Sequence, residues 1–159
     1  MLNWIKFITV FLAALTTVIV VTVFISALKP LASEEDRASD AAIKSGQILS
    51  VDSVQLYNGT KSFMTVFGVN DKGEDIALFV DENTDKDFGA VKIADGITAA
   101  QAVATVKKEL AVQKILHVSL GVEEAGPVWE VAFKSDNGKL NYVYVYFESG
   151  QWWKRILNL

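Results

Sequence analysis

Cysteine is absent from this chain, histidine occurs once, and proline only twice. Without cysteine there is no disulfide, no thiolate zinc site and no lipid-modified thiol. Exported eukaryotic domains of this size are often stapled by disulfides, so a cysteine-free outer domain fits a bacterial envelope better. One histidine and no cysteine supply too few of the usual nitrogen and sulfur ligands for a zinc site to be expected. Nor does the lone histidine, His117, accompany a nucleophile elbow; Ser119 merely lies two residues on, on the same strand face, and catalysis needs a base with oriented partners. His117 therefore reads as a buried or edge-strand residue. No glycine motif that cradles phosphate occurs. Asp81, Asn83, Asp85 and Asp87 alternate like the oxygen ligands of a calcium loop, but Lys86 stands where such a loop needs glycine and Lys92 where it needs glutamate. That stretch reads as a solvated loop. The sequence thus predicts no metal, no cofactor, no small-molecule substrate and no enzyme.

Charge is missing from a second place. From Phe7 to Leu28 nothing charged interrupts an apolar run. As a helix this run is about 33 Å long, enough to cross a hydrocarbon core of about 30 Å. It exceeds the apolar core of a cleaved signal peptide, so an uncleaved anchor over residues 7–28 is expected, behind a cytoplasmic head of residues 1–6. Lys and Arg are almost balanced at the two ends of the span. The short head and the folded mass after the span place the N-terminus inside and the rest outside. Beyond Lys6 there are 14 basic and 19 acidic residues, a net of −5. That charge argues against nucleic acid and against docking on anionic lipid headgroups; contact with lipid is expected through the apolar helix alone.

What is present is a duplication. Asp71-Lys72-Gly73 separates the apolar runs Phe63–Val69 and Ile76–Val80, and Asp136-Asn137-Gly138 separates Val128–Phe133 and Tyr142–Phe147. Gly73 and Gly138 lie 65 residues apart. A period of domain length means two copies of a small unit, not a solenoid. Pro30 is expected to end the membrane helix, and Ser33 to cap a second helix through Lys44 that Gly46 stops. Strands follow at Ile48–Tyr57, Phe63–Asn70 and Asp75–Asp81, with residues 86–96 linking the halves. Thr98 caps a helix through Leu110 whose Ala99, Ala102, Val103, Val106 and Leu110 form an apolar stripe. A second meander comprises Ile115–Val122, Val128–Lys134 and Lys139–Phe147, then Trp152–Ile156 after Gly150. Asn58-Gly59-Thr60 matches a glycosylation acceptor but reads as a hairpin turn; Gly126-Pro127 reads as another. The fold class is α+β: a transmembrane helix, then two tandem units, 33–95 and 96–159, each a helix packed on an antiparallel meander sheet.

Pairing the second hairpin about Asn137-Gly138 sets Phe133 opposite Tyr142, Val131 opposite Tyr144 and Trp129 opposite Tyr146, and makes this aromatic face the core. In the first hairpin Phe63, Phe67, Val69, Ile76, Leu78 and Val80 form the richer face, which the 65-residue offset maps onto the other side. A one-residue slip swaps faces; alternatively both sides of a sheet are partly covered where the two units pack together. Adjacent Trp152 and Trp153 must point to opposite faces of a strand. One can serve the core and the other a partner, since exposed tryptophan is a common anchor.

The order of these features is similar to the TseB-like (YpmB) cell-wall elongation regulators of Gram-positive bacteria. The carrying residues are the short head and anchor, the polar Ala38–Lys44 helix, and the two turns Asp71-Lys72-Gly73 and Asp136-Asn137-Gly138. In the second unit they are Ile97-Thr98, Trp129-Glu130-Val131, and Tyr144-Val145 with Phe147 before Gly150. The resemblance covers essentially the whole chain. It implies tandem PepSY-like, cystatin-like domains outside the membrane and a non-enzymatic protein that engages a penicillin-binding transpeptidase of the elongation machinery. Trp152, Trp153 and Tyr146 are the candidate partner-binding residues. Tethering would raise the effective concentration towards other anchored proteins. The alternative on the same scaffold is a PepSY-type inhibitor or chaperone of an exported peptidase.

Overall fold

The computed structural model describes residues 2–81 and 87–159, in two compact units, one up to Asp36 and one from Arg37 to Leu159. A single helix, α1 (Leu2–Lys44), begins in the first and ends in the second. Its segment Trp4–Ser26 has a mean hydropathy of 2.7 and is long and apolar enough to cross a membrane. Side chains such as Phe11, Ile19 and Phe24 are exposed. Thr9 and Thr17 donate their hydroxyls to the carbonyls of Ile5 and Ala13, each 2.9 Å away, so these polar groups are satisfied within the helix.

Pro30 does not end this helix, and Ser33 does not cap a new one; the backbone stays helical through both. A proline removes one hydrogen bond and costs about 3 kcal/mol. Here alanine, leucine and glutamate, all strong helix formers, flank it and carry the helix on. Gly46, with φ +74°, is the stop, as a glycine just past a helix end commonly is.

Two antiparallel sheets follow. The first has the order β1 (Ser50–Asn58), β2 (Ser62–Val69), β3 (Asp75–Asp81), β4 (Asp87–Lys92). The segment expected to link the halves thus supplies a fourth strand, paired with β3 through Ala77↔Val91 and Leu78↔Ala90. Helix α2 (Ala99–Glu109) starts in a capping box, Thr98 accepting from the Gln101 N–H while the Gln101 side chain accepts from the Thr98 N–H. The second sheet is β5 (Lys114–Glu123), β6 (Gly126–Lys134), β7 (Leu140–Tyr146), β8 (Trp152–Ile156). The turn expected at Gly126-Pro127 falls earlier. Glu123 pairs with Gly126 across Glu124-Ala125, and Pro127 sits near the start of β6, where a missing N–H is tolerated.

The two repeat turns are the same device. In the first, the Asn70 N–H bonds the Glu74 carbonyl and Gly73 bonds Asn70; 65 residues on, Ser135 bonds Lys139 and Gly138 bonds Ser135. Gly73 and Gly138 adopt φ +75° and +78°, the left-handed region that glycine enters without steric cost. Three residues lie between the paired ends, an odd number, so the register differs by one from that expected. Phe133 faces Asn141, Val131 faces Val143 and Trp129 faces Val145; Val66 faces Leu78. The slip moves every facing side chain to the other surface. In each hairpin one strand keeps the core face expected from the sequence, Trp129, Val131 and Phe133 in the second and Ile76, Leu78 and Val80 in the first. The other strand is corrected: Val143 and Val145 replace the tyrosines, Met64 and Val66 replace Phe63 and Phe67, and the repeats now agree.

Met64, Val66, Ile76, Leu78 and Val80 pack against Ala38 and Ala42 of α1. Their counterparts Trp129, Val131, Val143 and Val145 join Ala102 and Val106 of α2. The reverse face of the first sheet is also buried: Tyr57, Phe63, Ala77 and Phe79 belong to the same cluster as α2 and Leu120. The first sheet is therefore covered on both sides.

Candidate interaction surface

The two sheets meet where β5 passes the reverse face of the first sheet. Thr65, buried, donates its hydroxyl to the Leu120 carbonyl at 2.7 Å. A few residues on, Tyr57 donates to the Glu123 carboxylate at 2.8 Å. The Thr60 N–H donates to the same oxygen at 2.9 Å, and the Thr60 hydroxyl to the other. Gly59, in the expected Asn58-Gly59 turn, leaves room for this carboxylate; a Cβ there would stand 1.9 Å from Oε1. Desolvation pushes the Glu123 acid up, but the hydrogen bonds from Thr60 and Tyr57 outweigh it and hold it below the usual carboxylate value. Burial, followed by the bond to Glu123, pushes the Tyr57 phenol well above its ordinary value. This cluster locks the halves together and has no free group with which to do chemistry.

The second sheet offers a different face, the one turned away from α2. Register places Lys114 beside Lys134, His117 beside Ala132 and Tyr142, and Ser119 beside Glu130 and Tyr144. Glu130 is only 4 % exposed and lies 2.8 Å from His117 Nε2. Burial, and then a hydrogen bond to Glu130, raise the Tyr144 phenol. The His117 and Tyr142 rings meet edge to face with centroids 6.3 Å apart. A groove of about 540 Å³ opens here, lined by His117, Ser119, Glu130 and Tyr142 on one side and by Gln55, Leu56 and Asn58 of β1 on the other.

His117 is thus exposed on a sheet edge and paired with a buried acid, a partner that the sequence reading passed over. Glu130 stands in an apolar strand, and only the alternation of β6 hints that it faces away from α2. Trp152 and Trp153 do take opposite faces. A bulge at Trp153 separates the pairs Tyr144↔Lys154 and Val145↔Trp152. Trp152 lies on the α2 side, donating to Glu109 at 2.7 Å with the Arg155 guanidinium 3.7 Å from its ring centroid. Trp153 sits edge to face against Tyr144 at 5.8 Å. Tyr146 follows Tyr142 and Tyr144 at period two and is half-buried. The structure therefore puts Trp153 and Tyr146 on one face and separates Trp152 from them. The stretch weighed as a calcium loop, about Asn83 and Asp85, lies outside the described residues. Among the described residues no group of three or more His, Asp and Glu could hold a metal ion.

An apolar helix followed by two four-stranded antiparallel sheets, each packed with a helix, defines an α+β tandem scaffold that presents surfaces. Residues 37–81 match the family described as the cell wall elongation regulator TseB-like domain. Its structure resembles that of the YpmB protein from Bacillus subtilis, with a TM-score of 0.68 and 26 % identity over 76 % of this chain and 94 % of that one. No curated protein matches this chain.

Proposed function

We propose that the protein is a non-enzymatic, membrane-anchored regulator of cell-wall elongation, with residues 33–95 and 96–159 as tandem extracytoplasmic domains, which engages a penicillin-binding transpeptidase. The carrying observation is the TseB-like match over residues 37–81. The apolar Trp4–Ser26 segment supports the anchor, with the N-terminus cytoplasmic. Confinement to a thin layer above the bilayer raises the effective concentration of one anchored protein for another, so a modest interface suffices. Trp153 and Tyr146, on one face of the second sheet, are the proposed contact, with Trp152 at the neighbouring edge.

A photo-crosslinking residue in place of Trp153 in the full-length protein tests this in living cells. The expected product is an adduct with a penicillin-binding transpeptidase, lost when the crosslinker is moved to Lys108 on α2. An adduct with an exported peptidase instead would make the protein a peptidase inhibitor or chaperone.

A further inference from the structure

We infer that the outer face of the second sheet, from the groove beside β1 to the corner formed by Lys114 and Lys134, binds an acidic saccharide chain. Lys114 and Lys134 are direct cross-strand partners at the end of the sheet, both exposed. Neither has an acidic partner among the described residues. Like charges directly opposite one another on a sheet destabilise it. The pair persists in a chain whose total charge is −4, where acids are plentiful enough to neutralise it. On this face Glu130, four residues from Lys134, is buried and already bonded by His117. The corner is thus an uncompensated positive spot whose natural complement is an anion.

The groove on the same face of the sheet sets the rest of the ligand. Tyr142 supplies a half-exposed ring on the sheet face, and Gln55, Asn58 and Ser119 supply amides and a hydroxyl around it. A sugar ring has an apolar C–H face that stacks on an aromatic side chain and a rim of hydroxyls that both donate and accept. The mixed donors and acceptors of this groove answer that rim. Its volume of about 540 Å³ lies within the ~300–1,000 Å³ of ordinary ligand sites. An amphipathic helix would need a continuous apolar floor, and here Leu56 and Val118 are the aliphatic lining. Sugars in the groove and carboxylates at the lysine corner make one continuous ligand.

The test uses the full-length protein in nanodiscs of neutral lipid and, as probe, peptidoglycan glycan strands freed of stem peptides, which carry a carboxylate on every second sugar. The cell-wall reading guides only the choice of probe. Binding is expected to weaken with salt, as screening requires. Lys114→Glu with Lys134→Glu should weaken it at least tenfold, and Tyr142→Ala likewise. Lys107→Glu with Lys108→Glu, the same change of charge on α2, should leave it unaltered. Chitohexaose, a neutral saccharide, and polyglutamate, a carboxylate chain without sugars, should each bind at least tenfold more weakly than the strands. Absence of strand binding overturns the inference. So does equal binding of polyglutamate, indifference to both the lysine and tyrosine changes, or a Lys114/Lys134-dependent preference for vesicles of anionic lipid. Retained transpeptidase crosslinking in the lysine double variant separates a failure here from a failure of the proposed function.

Discussion

The ring of Tyr57 occupies the space that a side chain on Gly121 would need: a Cβ there would stand 2.2 Å from the ring. Tyr57 is wholly buried and its hydroxyl is committed to Glu123, so the ring cannot swing aside cheaply. Gly121→Ala should therefore destabilise the protein by about 1–3 kcal/mol, the usual penalty of overpacking. Tyr57→Phe, which keeps the ring and removes one hydrogen bond, should cost about 1 kcal/mol. Chemical denaturation of the folded part measures both; a Gly121→Ala midpoint equal to wild type would mean that the seam yields.

Acid should loosen the same seam. The Glu123 carboxyl is held below its ordinary value of 4.5. A depressed acid stabilises the fold above its unfolded value, and that contribution fades as pH falls through the folded one. The thermal midpoint should thus drop as pH is lowered below about 4.5, and Glu123→Gln should show a shallower drop over that interval. A variant that tracks wild type throughout would remove Glu123 as the responsible group.

Val131 is fully buried between the second sheet and α2. Val131→Asp strands a carboxylate there without a partner, a cost of several kcal/mol, comparable with the stability of a small domain. The variant should lose its cooperative thermal transition. Lys134→Glu, three residues on and exposed, should instead keep or slightly raise the midpoint, because it turns a repulsive cross-strand pair with Lys114 into an attractive one.

Truncation should separate the proposed anchoring by α1 from its part in the fold. A soluble form beginning at Glu34 keeps Ala38 and Ala42, which cover the first sheet, and should fold. It should nevertheless fail to restore elongation in a deletion strain at matched expression, having lost the concentration gained by sharing a membrane. A form beginning at Ser45 should not fold, because Met64, Val66 and Leu78 lose their cover. Full rescue by the Glu34 form would remove the tether from the mechanism.

The duplication was legible in the sequence because Gly73 and Gly138 punctuate it, and both adopt the positive φ that such turns demand. Thr98 and the α2 stripe were legible for the same local reason. The faces were not, since a loop of two residues and a loop of three carry the same Asp-x-Gly signature but opposite registers. Residues 87–92 were hidden because a strand this short, with Gly89 at φ +101°, has too little alternation to stand out. The Tyr57–Glu123 bond joins residues 66 apart in sequence, and the groove joins β1 to β6. Nothing in local pattern announces either. Trp152 and Trp153 were rightly given opposite faces, since alternation is a local property of the strand.

The first sheet carries a helix on one side and the second half of the protein on the other, whereas the second sheet turns Lys114, His117 and Tyr142 outward. The two copies therefore do not have equal freedom. Phe63 and Phe79 answer to neighbours that their counterparts in the second copy do not have. New recognition could be drafted on the second copy's open side by single substitutions, while the first copy, hemmed in on both sides, served as the foundation.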